Sequence, residues 1–128
     1  MPAVIVDGNN VIGCRPDGWW RDRPAAARHL VERLAAWSAQ TGEEVVVVFD
    51  GAPPDPVPTA AGVEVRYAAR RGRDAADDVI AQLVAQARAP EAVHVVTSDA
   101  GLAARVRSHG ARVTGARVLR DAIDPPPS

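Results

Sequence analysis

Val4-Ile5-Val6-Asp7-Gly8-Asn9-Asn10-Val11-Ile12 begins with three apolar residues of high β propensity and stops them on a carboxylate. An apolar run without apolar–polar alternation is what a strand covered on both faces requires. The stretch therefore predicts a buried strand of a parallel sheet, ending at Asp7. The same grammar recurs twice: Val46-Val47-Val48-Phe49 runs into Asp50, and Val95-Val96-Thr97-Ser98 runs into Asp99. Strands are expected over Ala3 to Val6, Val45 to Phe49, Val63 to Tyr67 and Val93 to Thr97, with a shorter fifth near Arg112 to Thr114.

Helical spacing fills the gaps. From Pro24 to about Gln40, Leu30, Val31, Leu34 and Trp37 recur on one face, Pro24 suits a first turn and Gly42 a stop. From Asp74 to about Arg88, the stripe is Ala76, Ile80, Leu83, Val84 and Ala87, and a shorter helix runs from Ala100 to His109 before Gly110. Strand–helix–strand alternation with short connections argues for a parallel sheet wrapped by helices. One domain over residues 1–124 is expected, with a frayed tail over 125–128 and a proline-rich loop over 51–62.

Composition narrows the class. Apolar residues make up 47% and charged residues 24%, as in an ordinary globular domain. The lone Cys14 has no internal disulfide partner, which suits a reducing cytoplasm. No apolar run approaches the ~20 residues of a membrane span. A cytoplasmic protein with no membrane partner is the expectation. The net charge of −1 provides no global basic field for nucleic acid. Its arginines are clustered instead: Arg66, Arg70, Arg71 and Arg73 share one stretch, and Arg15, Arg21 and Arg23 flank Trp19 and Trp20.

The chemistry lies in where the aspartates fall. In open α/β sheets the binding crevice forms beyond the carboxyl ends of the strands. If the strands ending at Asp7, Asp50 and Asp99 are neighbours, three carboxylates meet there. Crowded carboxylates repel, and a divalent cation such as Mg²⁺ or Mn²⁺, which favours carboxylate and water ligands, relieves the repulsion. A fourth group comes from Asp74-Ala75-Ala76-Asp77-Asp78. On a helical wheel Asp77 lies about 20° from Val84, at the edge of the apolar stripe, whereas Asp78 falls roughly opposite its centre. Asp77 is thus aimed at the sheet, and Asp78 serves as an outer ligand or faces water. Each aspartate also has a plain structural role open to it, as turn former, helix cap or partner of the helix dipole.

These residues, Val4-Ile5-Val6-Asp7-Gly8-Asn9-Asn10, Phe49-Asp50-Gly51, Asp74-Ala75-Ala76-Asp77-Asp78 and Val96-Thr97-Ser98-Asp99, resemble the NYN domain of the PIN-like nuclease superfamily, and its YacP-like branch in particular. The resemblance runs in order from residue 3 to about residue 115. It implies a three-layer α/β/α fold and a Mg²⁺- or Mn²⁺-dependent endoribonuclease acting on single-stranded RNA. By position, Asp7, Asp77 and Asp99 would be the metal ligands, Asn10 the polar residue beside the first aspartate, and Asp50 a further member. Many PIN-like proteins carry another acidic residue about four positions beyond the last of these, where this chain has Ala103. Asp50 and Asp78 remain available, so the number of ions is open.

RNA must be steered to an acidic cluster that would otherwise repel it. Arg70, Arg71 and Arg73 stand directly before the Asp74 turn, and Arg15, Trp19 and Trp20 offer a guanidinium beside rings that can stack unpaired bases. The same Trp pair would equally serve to cover the helix starting at Pro24. Whether a ribosome presents the RNA, and whether the chain forms a homodimer, stay open at this level. A Rossmann-like nucleotide binder would want a glycine-rich loop followed by a helix, and Asp7 to Gly13 reads as neither. Receiver or haloacid-phosphatase chemistry usually wants a lysine, and this chain has none. A catalytically silent RNA-binding or protein-interaction module would keep the fold without needing the carboxylates.

Overall fold

Val-rich runs become strands here because both of their faces are covered. A computed structural model describes residues 3–68 and 75–125, so that Arg70, Arg71, Arg73 and Asp74, and residues 126–128 of the expected tail, lie outside the described residues. The strands are β1 (Val4–Asp7), β2 (Val45–Asp50), β3 (Val63–Ala68), β4 (His94–Val96) and β5 (Arg112–Thr114). The helices are α1 (Gly8–Gly13), α2 (Arg23–Thr41), α3 (Ala75–Ala85), α4 (Ala100–Ser108) and α5 (Ala116–Ile123). The five strands form one sheet in the order β3-β2-β1-β4-β5, with every pairing parallel. No helix among the described residues is long and apolar enough to cross a membrane.

Strand side chains alternate between the two faces, and each face buries a separate cluster. Val4, Val6, Val45, Val47 and Phe49 pack with Val11 and Ile12 of α1, Leu30, Val31 and Leu34 of α2, and Leu119 and Ile123 of α5. Ile5, Val46, Val48 and Val95 pack with Ile80 and Val84 of α3 and with Leu102 and Val106 of α4. The result is three layers, α/β/α. Counting by twos, Asp7 follows Ile5 and Asp50 follows Val48, so both carboxylates fall on the α3 and α4 face. Chain order reverses between β1 and β4, which places the crevice at the carboxyl ends of those two strands.

The longest helix starts and stops close to where its sequence predicts, whereas α3 stops at Ala85, short of the expected Arg88. Asp22 caps α2 by accepting the Ala25 N–H at 3.1 Å, and Gly42, at φ +77°, closes it in the left-handed region that glycine favours. Two helices were not read from the sequence. The first, α1, begins at Gly8 directly after Asp7, which corrects the reading of this stretch as lacking a helix. Gly8 is required for room: a Cβ there would stand 2.5 Å from Cε1 of Phe49. The second, α5, is anchored on α1 by Arg120, which is buried. Its guanidinium donates to the carbonyls of Val11 (3.3 Å) and Ile12 (3.5 Å) and pairs with Asp17 (2.8 Å) and Asp124 (3.3 Å). Val11 O also accepts the N–H (3.4 Å) and thiol (3.0 Å) of Cys14, so the buried cation adds to the bonds that satisfy the last carbonyls of α1.

Gly8→Ala is expected to destabilise the fold by about 1–3 kcal/mol, because Phe49 sits in a packed layer and cannot move aside freely. Gly13→Ala, where an added Cβ meets nothing within 4 Å, should be neutral or stabilising by up to about 1 kcal/mol. Urea denaturation of the two variants side by side separates close packing from helix propensity.

Candidate active site

The end of β1 is where a carboxylate is least welcome. Asp7 is only 5% exposed. Its Oδ2 accepts a hydrogen bond of 2.8 Å from the Thr97 hydroxyl, just past β4, and the Asn10 backbone amide faces it without forming a cap hydrogen bond. The Asp7 carboxyl is pushed up from its ordinary value to about 6. Burial is the largest cause. Thr97 and the Asn10 amide pull against it, while the charges of Asp77 and Asp50 push with it.

Three neighbouring loops are tied to this point. Asn9 Oδ1 accepts the Asp50 N–H at 2.7 Å, and Asn10 Oδ1 accepts the Ser98 N–H at 2.7 Å. The two side chains thus pin the start of α1 to the ends of β2 and β4. Asp50 in turn accepts the Ala76 N–H at 3.1 Å, capping the first turn of α3 and fixing the turn that carries Asp77. Thr97 accepts the Asp99 N–H at 3.1 Å, and Ser98 Oγ accepts the Ala116 N–H at 2.8 Å.

The predicted residues divide accordingly. Asp7, Asp50 and Asp77 lie close enough for their charges to interact. Asp99 is exposed, caps α4 by accepting the Leu102 N–H at 3.0 Å, and is linked to Asp7 through the Thr97 hydroxyl. Asp78 is paired with Arg105 of α4 at 2.9 Å. Among the described residues, no three acidic, histidine or cysteine side chains stand close enough to enclose an ion. Asn10, expected as the polar residue beside the first aspartate, spends its side-chain oxygen on the Ser98 N–H. Arg15 is turned to α5, where it pairs with Asp121 at 2.7 Å. Trp19 packs on the core edge to face with Trp20 (5.7 Å between centroids), Arg23 lies 5.4 Å over the Trp19 ring, and Trp20 is 48% exposed. Three contributors escaped the sequence reading: Asn9, Thr97 and Ser98. The signal for Thr97 was a hydroxyl breaking a valine run two residues short of the expected acidic end at Asp99.

This donor set fits a hard cation. Mg²⁺ keeps several waters and is usually bound by one or two carboxylates together with phosphate oxygens, so a closed cage of three is not required. A buried carboxyl whose ionisation is opposed by two like charges is the arrangement that such an ion would relieve.

Comparison with known proteins bears on the family and the fold. The family model described as the YacP-like NYN domain matches residues 4–126. The crystal structure of Rae1 (YacP) from Bacillus subtilis is similar, with 29% identity and a TM-score of 0.78, over 97% of this chain and 74% of that one. A mutant form of the same protein gives 30% identity and a TM-score of 0.76, over 97% and 76%. No curated protein matches the sequence.

The raised Asp7 value has a consequence for stability. Its folded value near 6 exceeds the ordinary 3.8, so the native state holds its proton more tightly and stability falls as pH rises between those values. Above that window, ionised Asp7 costs on the order of 2–3 kcal/mol. Asp7→Asn is therefore expected to stabilise the protein at pH 7.5 by about 2 kcal/mol, with the gain shrinking toward pH 4, as urea denaturation at the two pH values would record. Thr97→Val removes a bond that favours the ionised form and should raise the Asp7 value further, measurable by NMR titration.

Proposed function

Because the chain belongs to the YacP-like NYN domain family, which is of nuclease type, we propose that it is a metal-dependent endoribonuclease cutting single-stranded RNA at the carboxyl ends of β1 and β4. The observation that carries this reading is Asp7: a buried carboxylate, crowded by two others, at the switch point of a parallel sheet. A structural aspartate would have no need of such surroundings, and a cation-binding one would.

Mg²⁺ or Mn²⁺, when bound, supplies a Lewis acid for the scissile phosphate and a water of lowered pKa. Asp7 and Asp77 would hold it, with Asp50 and Asp99 at the margin as direct or water-mediated partners. The Thr97 hydroxyl occupies Oδ2 of Asp7 and so reserves Oδ1 for ligation. Asn9 and Asn10 hold the three strand ends at fixed separation, which keeps the carboxylates crowded before any ion arrives. Arg105 draws Asp78 toward α4, making it an outer participant at most. Arg70, Arg71 and Arg73 stand directly before α3 in the sequence and are assigned to the RNA phosphates by that place and their charge.

Incubation of the protein with a mixed single-stranded RNA pool, with Mn²⁺ or with EDTA, tests the reading. Cleavage in Mn²⁺ that EDTA abolishes is the expected result. Asp7→Asn and Asp77→Asn should each lower the rate by at least about 100-fold, and Thr97→Val by roughly 10- to 100-fold through weakened metal affinity. RNA bound but uncut under both conditions would instead identify a silent RNA-binding module.

A further inference from the structure

On the opposite face of the sheet from Asp77, beside the same strand ends, lies a cavity of about 270 Å³ that the carboxylate chemistry does not use. Its walls include Trp19, Phe49 and Tyr67, and its rim carries Arg23, Asn9 and Asp50. Phe49 and Tyr67 stand 5.1 Å apart between centroids at a 31° tilt. The Tyr67 hydroxyl is buried and has no hydrogen-bond partner among the described residues. Burial pushes the Tyr67 phenol above its ordinary value, so it stays protonated and able to donate.

A buried hydroxyl without a partner is costly, and it is tolerated where a ligand supplies the missing bond. The groups around it fit one kind of ligand. Aromatic walls stack on a flat ring, a single hydroxyl and the Asn9 amide read polar atoms on its edge, and Arg23 lies over the Trp19 ring at the mouth, where a phosphate would pass. The volume suits one ring system rather than a stretch of strand. Asp50 joins the cavity to the cluster around Asp7, since it lines the first and its charge is felt in the second.

We infer that this cavity binds one nucleobase of the RNA strand, next to the phosphate held over the carboxylates. The inference rests on RNA being the substrate, and it adds what selects the cut: a single unstacked base drawn between Trp19 and Tyr67. Recognition is of the base and not of the phosphate, which distinguishes the cavity from the arginine-rich stretch before α3.

Equilibrium binding of the four ribonucleoside 5′-monophosphates, with ribose 5-phosphate as control and EDTA present, tests the cavity apart from the chemistry. At least one nucleotide should bind about tenfold more tightly than the sugar phosphate, the worth of stacking one base. Tyr67→Phe keeps the ring against Phe49 and should weaken that nucleotide roughly 3- to 10-fold while levelling the preference among bases, as loss of one hydrogen bond predicts. Trp19→Ala should remove the advantage over ribose 5-phosphate; if it fails to fold, Arg23→Gln with Tyr67→Phe carries the test. Nucleotides binding no better than ribose 5-phosphate, or Tyr67→Phe leaving affinity and preference unchanged, overturns the inference. Cleavage assays run in parallel separate the two readings. Base binding without any cleavage upholds the cavity and removes the nuclease, whereas cleavage without base binding does the reverse.

Discussion

Two adjacent amide side chains hold the working end of this molecule together. The ends of β2 and β4 leave backbone N–H groups that no further strand residue can satisfy, and β1 lies between them. Asn9 takes the Asp50 N–H and Asn10 takes the Ser98 N–H, each at 2.7 Å. Because α1 starts at Gly8, directly after Asp7, the two asparagines sit in its first turn and face opposite neighbours. The entire crevice follows from that placement. Asp50 is oriented to cap α3, α3 brings Asp77 to the sheet, and the β4 exit carries Thr97 to Asp7. Gly8 makes it possible by letting the helix lie against Phe49.

An electrostatic tension results, and it is maintained by the fold. Burial and two like charges oppose ionisation of Asp7, and one hydroxyl and one amide favour it. The balance leaves the group near neutrality of charge at mildly acidic pH and ionised above it. Such a site is destabilising while empty of cations, which is tolerable because two apolar clusters, one on each face of the sheet, supply the stability. Arg120 contributes to the same end by closing α1 and binding α5 over it.

The two faces of the sheet divide the labour proposed for the crevice. The α3 and α4 face brings carboxylates together, while the α1 and α2 face leaves aromatic walls around an open space. Asp50, at the last position of β2, is the shared boundary. A strand of RNA crossing the carboxyl ends would meet both, phosphate on one side and base on the other.

The sequence determined the sheet. Uninterrupted Val and Ile runs favour a strand covered on both faces, and their acidic ends marked where β1 and β2 stop, while β4 stops at Val96, before Asp99. It also determined which carboxylate of α3 is aimed inward, since helical periodicity sets Asp77 and Asp78 on different faces, and Asp78 is found against Arg105. It did not disclose α1 or α5. The first is six residues long and opens on a glycine, and the second carries an arginine, Arg120, in the middle of its apolar stripe. Nor did it disclose what Asn9, Asn10 and Thr97 bind, because their partners lie 41, 88 and 90 residues away. Hydrogen bonds over such separations exist only after the strands have been ordered side by side. The hydroxyl of Tyr67 belongs to the same class: a tyrosine in a strand is unremarkable in one dimension, and only packing leaves its oxygen buried with no partner among the described residues.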